Sequence, residues 1–327
     1  MKKSVKAIIA LCLVVVLAGS IFAACTASKP QGEKVYKVGI CQLMEHVALD
    51  KATEGFVAAL KDKLGDSVKI DTQTAQGEET ICATIVNQFV SKGVDLMMAN
   101  ATPALQAAVA ATDQIPIVAT SITEYGVALG IDGFDGKTGM NVTGTSDLPP
   151  LDQQAAMIKE ICPDTKTVGI IYCSSEANSV YQAKEVAKFL AQDGITATEY
   201  TFSDSNDIQA VVTKAVAEND ALYVPTDNKA ADNTAIIDAV ARPAKCPVFA
   251  GEEGICVGCG IVTLSISYYD IGYKTGEMAA EILTEGKDPA TMDIAYAPQF
   301  TKEYNAEICE ELGITVPADY VAIAAAE

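Results

Sequence analysis

Side chains able to do chemistry are scarce in this chain: one histidine, no tryptophan and a single arginine, Arg242, stand beside ten cysteines and 43 acids. Cys256-Val257-Gly258-Cys259 is the one redox-type or metal-type spacing. Zinc would need two more ligands, and His46 lies far away in sequence. A thioredoxin-like pair sits at the start of a helix that follows a strand, whereas Gly254, Gly258 and Gly260 give this segment turn chemistry. A local disulfide or two idle thiols is the expectation. His46 has no Ser or Cys partner at a recognisable spacing, and no glycine-rich phosphate loop follows the first apolar run. The chain is therefore expected to be no enzyme and to need no metal or cofactor.

What remains is a set of hydroxyls, amides and carboxylates suited to holding a small molecule. Thr102-Pro103 reads as a helix start with proline in its first turn, so Thr102 is expected to cap while nearby N–H groups offer an anion site. Ser179 and Asn206 are further helix-start candidates, each equally readable as an ordinary cap. Arg242 precedes the apolar run at Pro247 and so falls at the wrong end of a sheet, which removes a bidentate clamp on a ligand carboxylate. Glu45, Asp147, Asp227 and Glu253 are acids suited to an ammonium group, each equally readable as a solvated surface charge. Tyr125, Tyr181, Tyr268 and Tyr269 offer rings that can pack on an apolar or aromatic group. An anion nest and acids in one cleft suit a zwitterion.

Those residues share a cleft only if the elements bring them there. From Tyr36 onward, strand-like runs (36–42, 68–72, 95–99, 115–120, 167–172, 197–202, 221–224, 247–250, 261–266) alternate with helical patterns (49–64, 79–92, 151–161, 179–192, 207–218, 268–285). Repeated β-α-β-α implies α/β architecture with parallel, doubly wound sheets. The pattern occurs twice, separated by the polar stretch Asn141 to Pro150, so two lobes joined by a multi-strand hinge form a clamshell. The first lobe is expected over 35–145 plus about 267–292, the second over 146–266 plus about 293–327. Ligands of such sheets bind beyond the carboxyl ends of the strands, where all the candidates above are expected to lie.

The first 25 residues act as an address. Lys2, Lys3 and Lys6 precede an uncharged run from Ala7 to Ala24, which ends Ala23-Ala24-Cys25. This is a secretion leader, and the small-small-Cys ending is what the signal peptidase of bacterial lipoproteins requires. Residues 1–24 are thus expected to be a signal peptide, Cys25 the lipidated first residue, and the polar 25–34 segment a tether. An uncleaved anchor ranks second, because Gly19 and Ser20 interrupt the apolar core and no stop-transfer charges follow. Loss of the leader's three lysines moves the net charge from -20 to -23. Such acidity argues against nucleic acid and anionic lipid as partners. Of the eight body cysteines, several sit inside apolar strands, as Cys41 and Cys173 do, and read as buried free thiols.

Several motifs carry a family resemblance: Gln42-Leu43-Met44-Glu45-His46, Ala75-Gln76-Gly77, Ala101-Thr102-Pro103-Ala104, Ser175-Glu176-Ala177-Asn178-Ser179, Tyr223 to Asn228 and Glu252-Glu253-Gly254. With these the chain resembles the substrate-binding lipoproteins of bacterial ABC transporters, in the tryptophan and tyrosine subgroup with a type I periplasmic-binding fold. The resemblance implies closure around a ligand, an aromatic amino acid in this subgroup, and docking on a membrane permease. The residues expected to bind are Thr102, Ser146, Asn178 and Ser179 for a carboxylate, Glu45, Asp227 and Glu253 for an ammonium or polar group, and Thr123 beside them. The expected protein is a monomer, lipid-anchored on the extracytoplasmic side of the cell membrane. Two alternatives stay open: a binding protein for another small molecule such as a nucleoside or amine, and an extracellular redox enzyme using Cys256 and Cys259.

Overall fold

The structure, a computed structural model, describes residues 34–323. The chain divides at Val35, and the body begins at Tyr36. The leader, Cys25 and nearly all of the tether lie outside the described residues. Among the described residues no helix is long and apolar enough to cross a membrane.

The first half of the body runs β1 (Tyr36–Gln42), α1 (Val47–Leu64), β2 (Val68–Thr74), α2 (Glu79–Lys92), β3 (Leu96–Asn100), α3 (Thr102–Ala111), β4 (Ile117–Ile122), α4 (Tyr125–Leu129) and β5 (Val142–Ser146). The second runs α5 (Leu151–Ile161), β6 (Thr167–Cys173), α6 (Ala177–Gln192), β7 (Thr196–Phe202), α7 (Ile208–Glu218), β8 (Ala221–Val224), α8 (Asn228–Asp232), α9 (Thr234–Ala241), β9 (Val248–Ala250), α10 (Glu253–Gly258) and β10 (Val262–Ser265). The chain then returns as α11 (Tyr268–Glu285) and β11 (Ala295–Tyr296), and ends in β12 (Thr301–Tyr304), α12 (Ala306–Leu312) and β13 (Val321–Ala322).

Two sheets result, ordered β11-β5-β4-β3-β1-β2 and β13-β12-β10-β9-β8-β6-β7. Every pairing is parallel except β10 with β12. Central strands such as β3 and β8 are buried along their whole length, as expected of parallel strands covered on both faces. The fold is the two-lobed type I periplasmic-binding architecture. Helix α11 returns to the first lobe, where a seam of small residues brings it against α1: a Cβ at Gly55 would strike the Tyr269 carbonyl, and one at Gly272 the Ala52 carbonyl.

Two local expectations change. The polar stretch from Asn141 is a buried strand through Ser146, and the crossing between lobes begins only after it. Its hydroxyls hid the strand, yet each has a partner inside: Thr145 Oγ1 lies 3.0 Å from Thr120 Oγ1 and 2.8 Å from Thr275 Oγ1, and Ser146 Oγ donates to the Thr123 carbonyl at 2.9 Å. At the other return, β11 pairs with β5, so the chain leaves the first sheet after Tyr296. The second change concerns Cys256, which lies on helix α10 directly after β9. Its glycines make close approaches rather than turns, since a Cβ at Gly258 would run into the Thr234 side chain.

Candidate functional site

The carboxyl ends of the two sheets meet around a narrow gap, a residual void of about 10 Å³. Ser121 and Thr123 line it from the end of β4, His46 from the start of α1, Asp147 and Tyr268 from two of the crossings, and Asn178, Asp227 and Glu252 from the second lobe. His46 Nε2 reaches Asn228 Oδ1 at 3.2 Å, so the lobes touch directly. No lysine or arginine lines the gap. Arg242 is engaged elsewhere by Asp238, Glu307 and Glu311.

The acids are held by backbone donors at helix starts. Asp227 caps α8, with Oδ1 accepting from Ala230 N at 2.8 Å, while Oδ2 accepts from Cys173 N at 2.7 Å. Glu252 caps α10 through Gly254 N at 2.7 Å and Ile255 N at 2.6 Å. Asp147 accepts from the Tyr268 hydroxyl at 3.0 Å. Burial withdraws water from all three and pushes their carboxyls up, Asp147 to about 6 and Asp227 and Glu252 to about 7, with Glu176 adding to the shift at Asp227. Burial acts oppositely on His46, lowering it and favouring the neutral ring.

Three polar atoms at the gap are buried without any partner: Ser121 Oγ, Asp147 Oδ1 and Asn178 Oδ1. Buried polar atoms are normally satisfied, so three orphans around one void mark a place shaped for something else. Asp147 Oδ1 and Asn178 Oδ1 are acceptors that call for a donor from outside the chain. Beside this gap, and sharing Ala48, Glu252 and Tyr268 with it, a cavity of about 260 Å³ is walled by Tyr269, Lys51, Glu253 and Glu303.

The sequence-expected residues separate into groups. Thr123, Asn178 and Asp227 line the narrow gap, and Glu253 lines the adjoining cavity. Ser146 and Ser179 are buried behind it: Ser146 Oγ is taken by the Thr123 carbonyl and by Leu148 N, and Ser179 Oγ accepts from Asn178 Nδ2 at 3.2 Å. Thr102 is buried as the first residue of α3, but the cap position falls to Ala101 at φ 87°, so the expected capping by Thr102 does not occur. Glu45 is exposed and lines neither space. Tyr125 belongs to the core, its hydroxyl donating to the carbonyls of Ala119 and Thr145.

Glu252 and Ser121 were missed. A signal for Glu252 existed, because an acid follows each of three second-lobe strands within three residues: Glu176 after β6, Asp227 after β8, Glu252 after β9. Ser121 had none, since its orientation comes from φ 57° and a register shift between Ala119 and Ile122. The cysteine pair is unreactive by environment, with Cys256 and Cys259 buried and their thiols pushed up by desolvation.

The sequence pattern of the family described as ABC transporter substrate binding protein matches residues 37–327. The chain belongs to that family. A tyrosine-binding protein of Clostridioides difficile (strain R20291) is 38% identical over 262 residues, 79% of this chain and 75% of its own. Among solved structures, an ABC domain from Streptococcus pneumonia in complex with L-Trp matches with TM-score 0.83 and 32% identity, covering 87% of this chain and 97% of that one. The ligand-free, open structure of a substrate binding protein with adhesive properties from Clostridium difficile matches with TM-score 0.69 and 35% identity, covering 89% and 100%. The TM-score is thus higher to the L-Trp complex than to the ligand-free, open structure.

Proposed function

We propose that this substrate-binding protein captures a zwitterionic aromatic amino acid between its lobes and delivers it to an ABC permease. The observation that carries the reading is the unpartnered pair Asp147 Oδ1 and Asn178 Oδ1, set among three carboxylates with no lysine or arginine at the gap and with His46 held neutral by burial. An ammonium group supplies the missing donors and lets Asp147, Asp227 and Glu252 ionise. Ser121 and Thr123 are assigned to the ligand carboxylate, and Ser146 and Ser179 to positioning, whereas Thr102 lines neither space. Glu253 borders the 260 Å³ cavity, which offers room for the aromatic ring against Tyr268 and Tyr269. The names of the tyrosine-binding relative and of the L-Trp complex support the same ligand class.

Delivery to a permease calls for a protein kept near the membrane, and the Ala23-Ala24-Cys25 ending supports a lipid anchor on Cys25 facing the extracytoplasmic side. The mass of the mature N-terminal peptide tests it: an unmodified or uncleaved N-terminus removes the anchor. Ligand identity is tested by thermal shift with L-tyrosine and L-tryptophan beside 3-(4-hydroxyphenyl)propionate, which lacks the ammonium. The amino acids are expected to stabilise the protein by about 2.7 kcal/mol at a hundredfold excess over Kd, and the propionate not at all. Stabilisation by nucleosides or sugars, with none from amino acids, would overturn the reading.

A further inference from the structure

Despite the net charge of -20, lysines gather on one edge of the described body. Lys37 of β1 and Lys69 of β2 are register partners, so their side chains leave the same face side by side. Lys92, at the end of α2, joins them around a shallow groove floored by Val38, Ile70 and Val94. Lys61 of α1 meets Lys69 again on a second groove along β2. All four are exposed. Two acids share these grooves, Asp66 and Asp71, and Asp71 is already bound by Lys92 at 2.6 Å. Among the described residues Lys37, Lys61 and Lys69 enter no ion pair, and β2 is the outermost strand of its sheet.

The position of this patch gives it meaning. Tyr36, where the chain enters the body, is the register partner of Val68, so Lys37 and Lys69 follow the entry point immediately, at the end of the first lobe opposite the ligand gap. We infer that this edge rests against an anionic lipid surface while the protein is not docked, keeping the gap turned away from the bilayer. The inference rests on the proposed anchoring at Cys25. Ten residues, 26–35, separate that cysteine from the body, and a chain of that length spans at most about 36 Å. The acidic remainder of the body does not cancel the attraction, because exposed charges more than about 10 Å apart are largely screened. Whole-chain charge excludes an anionic surface as a general partner; local charge selects one face for it.

The test holds the otherwise complete mature chain, with a histidine tag in place of the leader, on nickel-chelating vesicles, so it does not depend on native lipidation. Acetylation rates of individual lysines are read by mass spectrometry on vesicles rich in phosphatidylglycerol and on phosphatidylcholine alone. Lys37, Lys61 and Lys69 are expected to react about fivefold more slowly on the anionic vesicles, with the difference abolished by high salt and Lys184 and Lys214 of the second lobe unchanged. Equal rates on both vesicles, or slowing confined to the second lobe, overturns the inference. Native lipidation is scored separately on the N-terminal peptide, so a failed anchor and an indifferent surface give different results.

Discussion

The two lobes build the rims of one cleft by different physics. In the first lobe the strand-end loops hold non-glycine residues at positive φ: Gln76 after β2 at 53°, Ala101 after β3 at 87° and Ser121 in β4 at 57°. In the second they hold buried carboxylates, Glu176, Asp227 and Glu252, each gripping backbone N–H groups at a helix start. One rim stores backbone strain, of order 1–3 kcal/mol at each such residue. The other stores desolvated acid. Strain does not respond to pH, whereas the acids do, so a ligand bound as proposed would act on two reservoirs of different kind.

The largest expected effect comes from breaking the acidic rim. Asp227→Ala leaves Cys173 N and Ala230 N without their acceptor, which should cost about 2–4 kcal/mol in urea melts, at one to two buried donors' worth. Amino-acid affinity should fall roughly a hundredfold by calorimetry, as for truncation of one partner of a buried charge pair. Unchanged affinity would remove Asp227 from the site.

Next comes pH. Asp147, Asp227 and Glu252 titrate near 6, 7 and 7 in the folded protein, against about 4 when unfolded. The folded state therefore binds more protons across that window, and the ligand-free protein should lose stability as pH rises from about 4 to about 7, then level off. Asp204 and Asp220 are shifted the other way but lie exposed, where their effect is screened; the ring of His46, lowered by burial, also opposes the trend, as one group against three. Melting temperatures of the empty protein, with Glu252→Gln flattening the slope, check this; a rise in stability over the window would refute it.

On the strained rim the sign reverses. Ser121→Gly relieves φ 57° and removes an unpartnered buried hydroxyl, so stability should increase by about 1 kcal/mol, with no pH dependence. Amino-acid binding should weaken about tenfold, the worth of one hydrogen bond to a charged group. Stability and affinity moving together would erase the contrast between the rims. The smallest effect is expected at Glu45, exposed and outside both spaces: Glu45→Ala should leave affinity within about twofold, as for a surface change away from a site.

Periodicity made the long elements legible. Helices 79–92, 151–161 and 268–285 and strands 36–42 and 221–224 have the bounds read from the chain. Elements whose partners are distant were not. β5 is written in Thr and Ser because Thr120, Thr275 and the Thr123 carbonyl satisfy it, and α10 contains glycines because Thr234 leaves Gly258 no space for a side chain. Of the site, the loops were legible, while the direction of each side chain was not.

The sequence by itself determined the alternation that produces two lobes, the loops that end at one cleft, and the lack of any guanidinium to line it. Alternation is local, set by periods of 2 and 3.6 residues, and composition is fixed before folding. Only the tertiary structure decided which acids matter. Glu252 and Glu253 are neighbours in the chain, yet one is buried at the narrow gap with its carboxylate on the α10 N–H groups, and the other is half-buried and lines only the adjoining cavity. That difference arises from desolvation when the lobes meet, a property of distance and burial that no local pattern records.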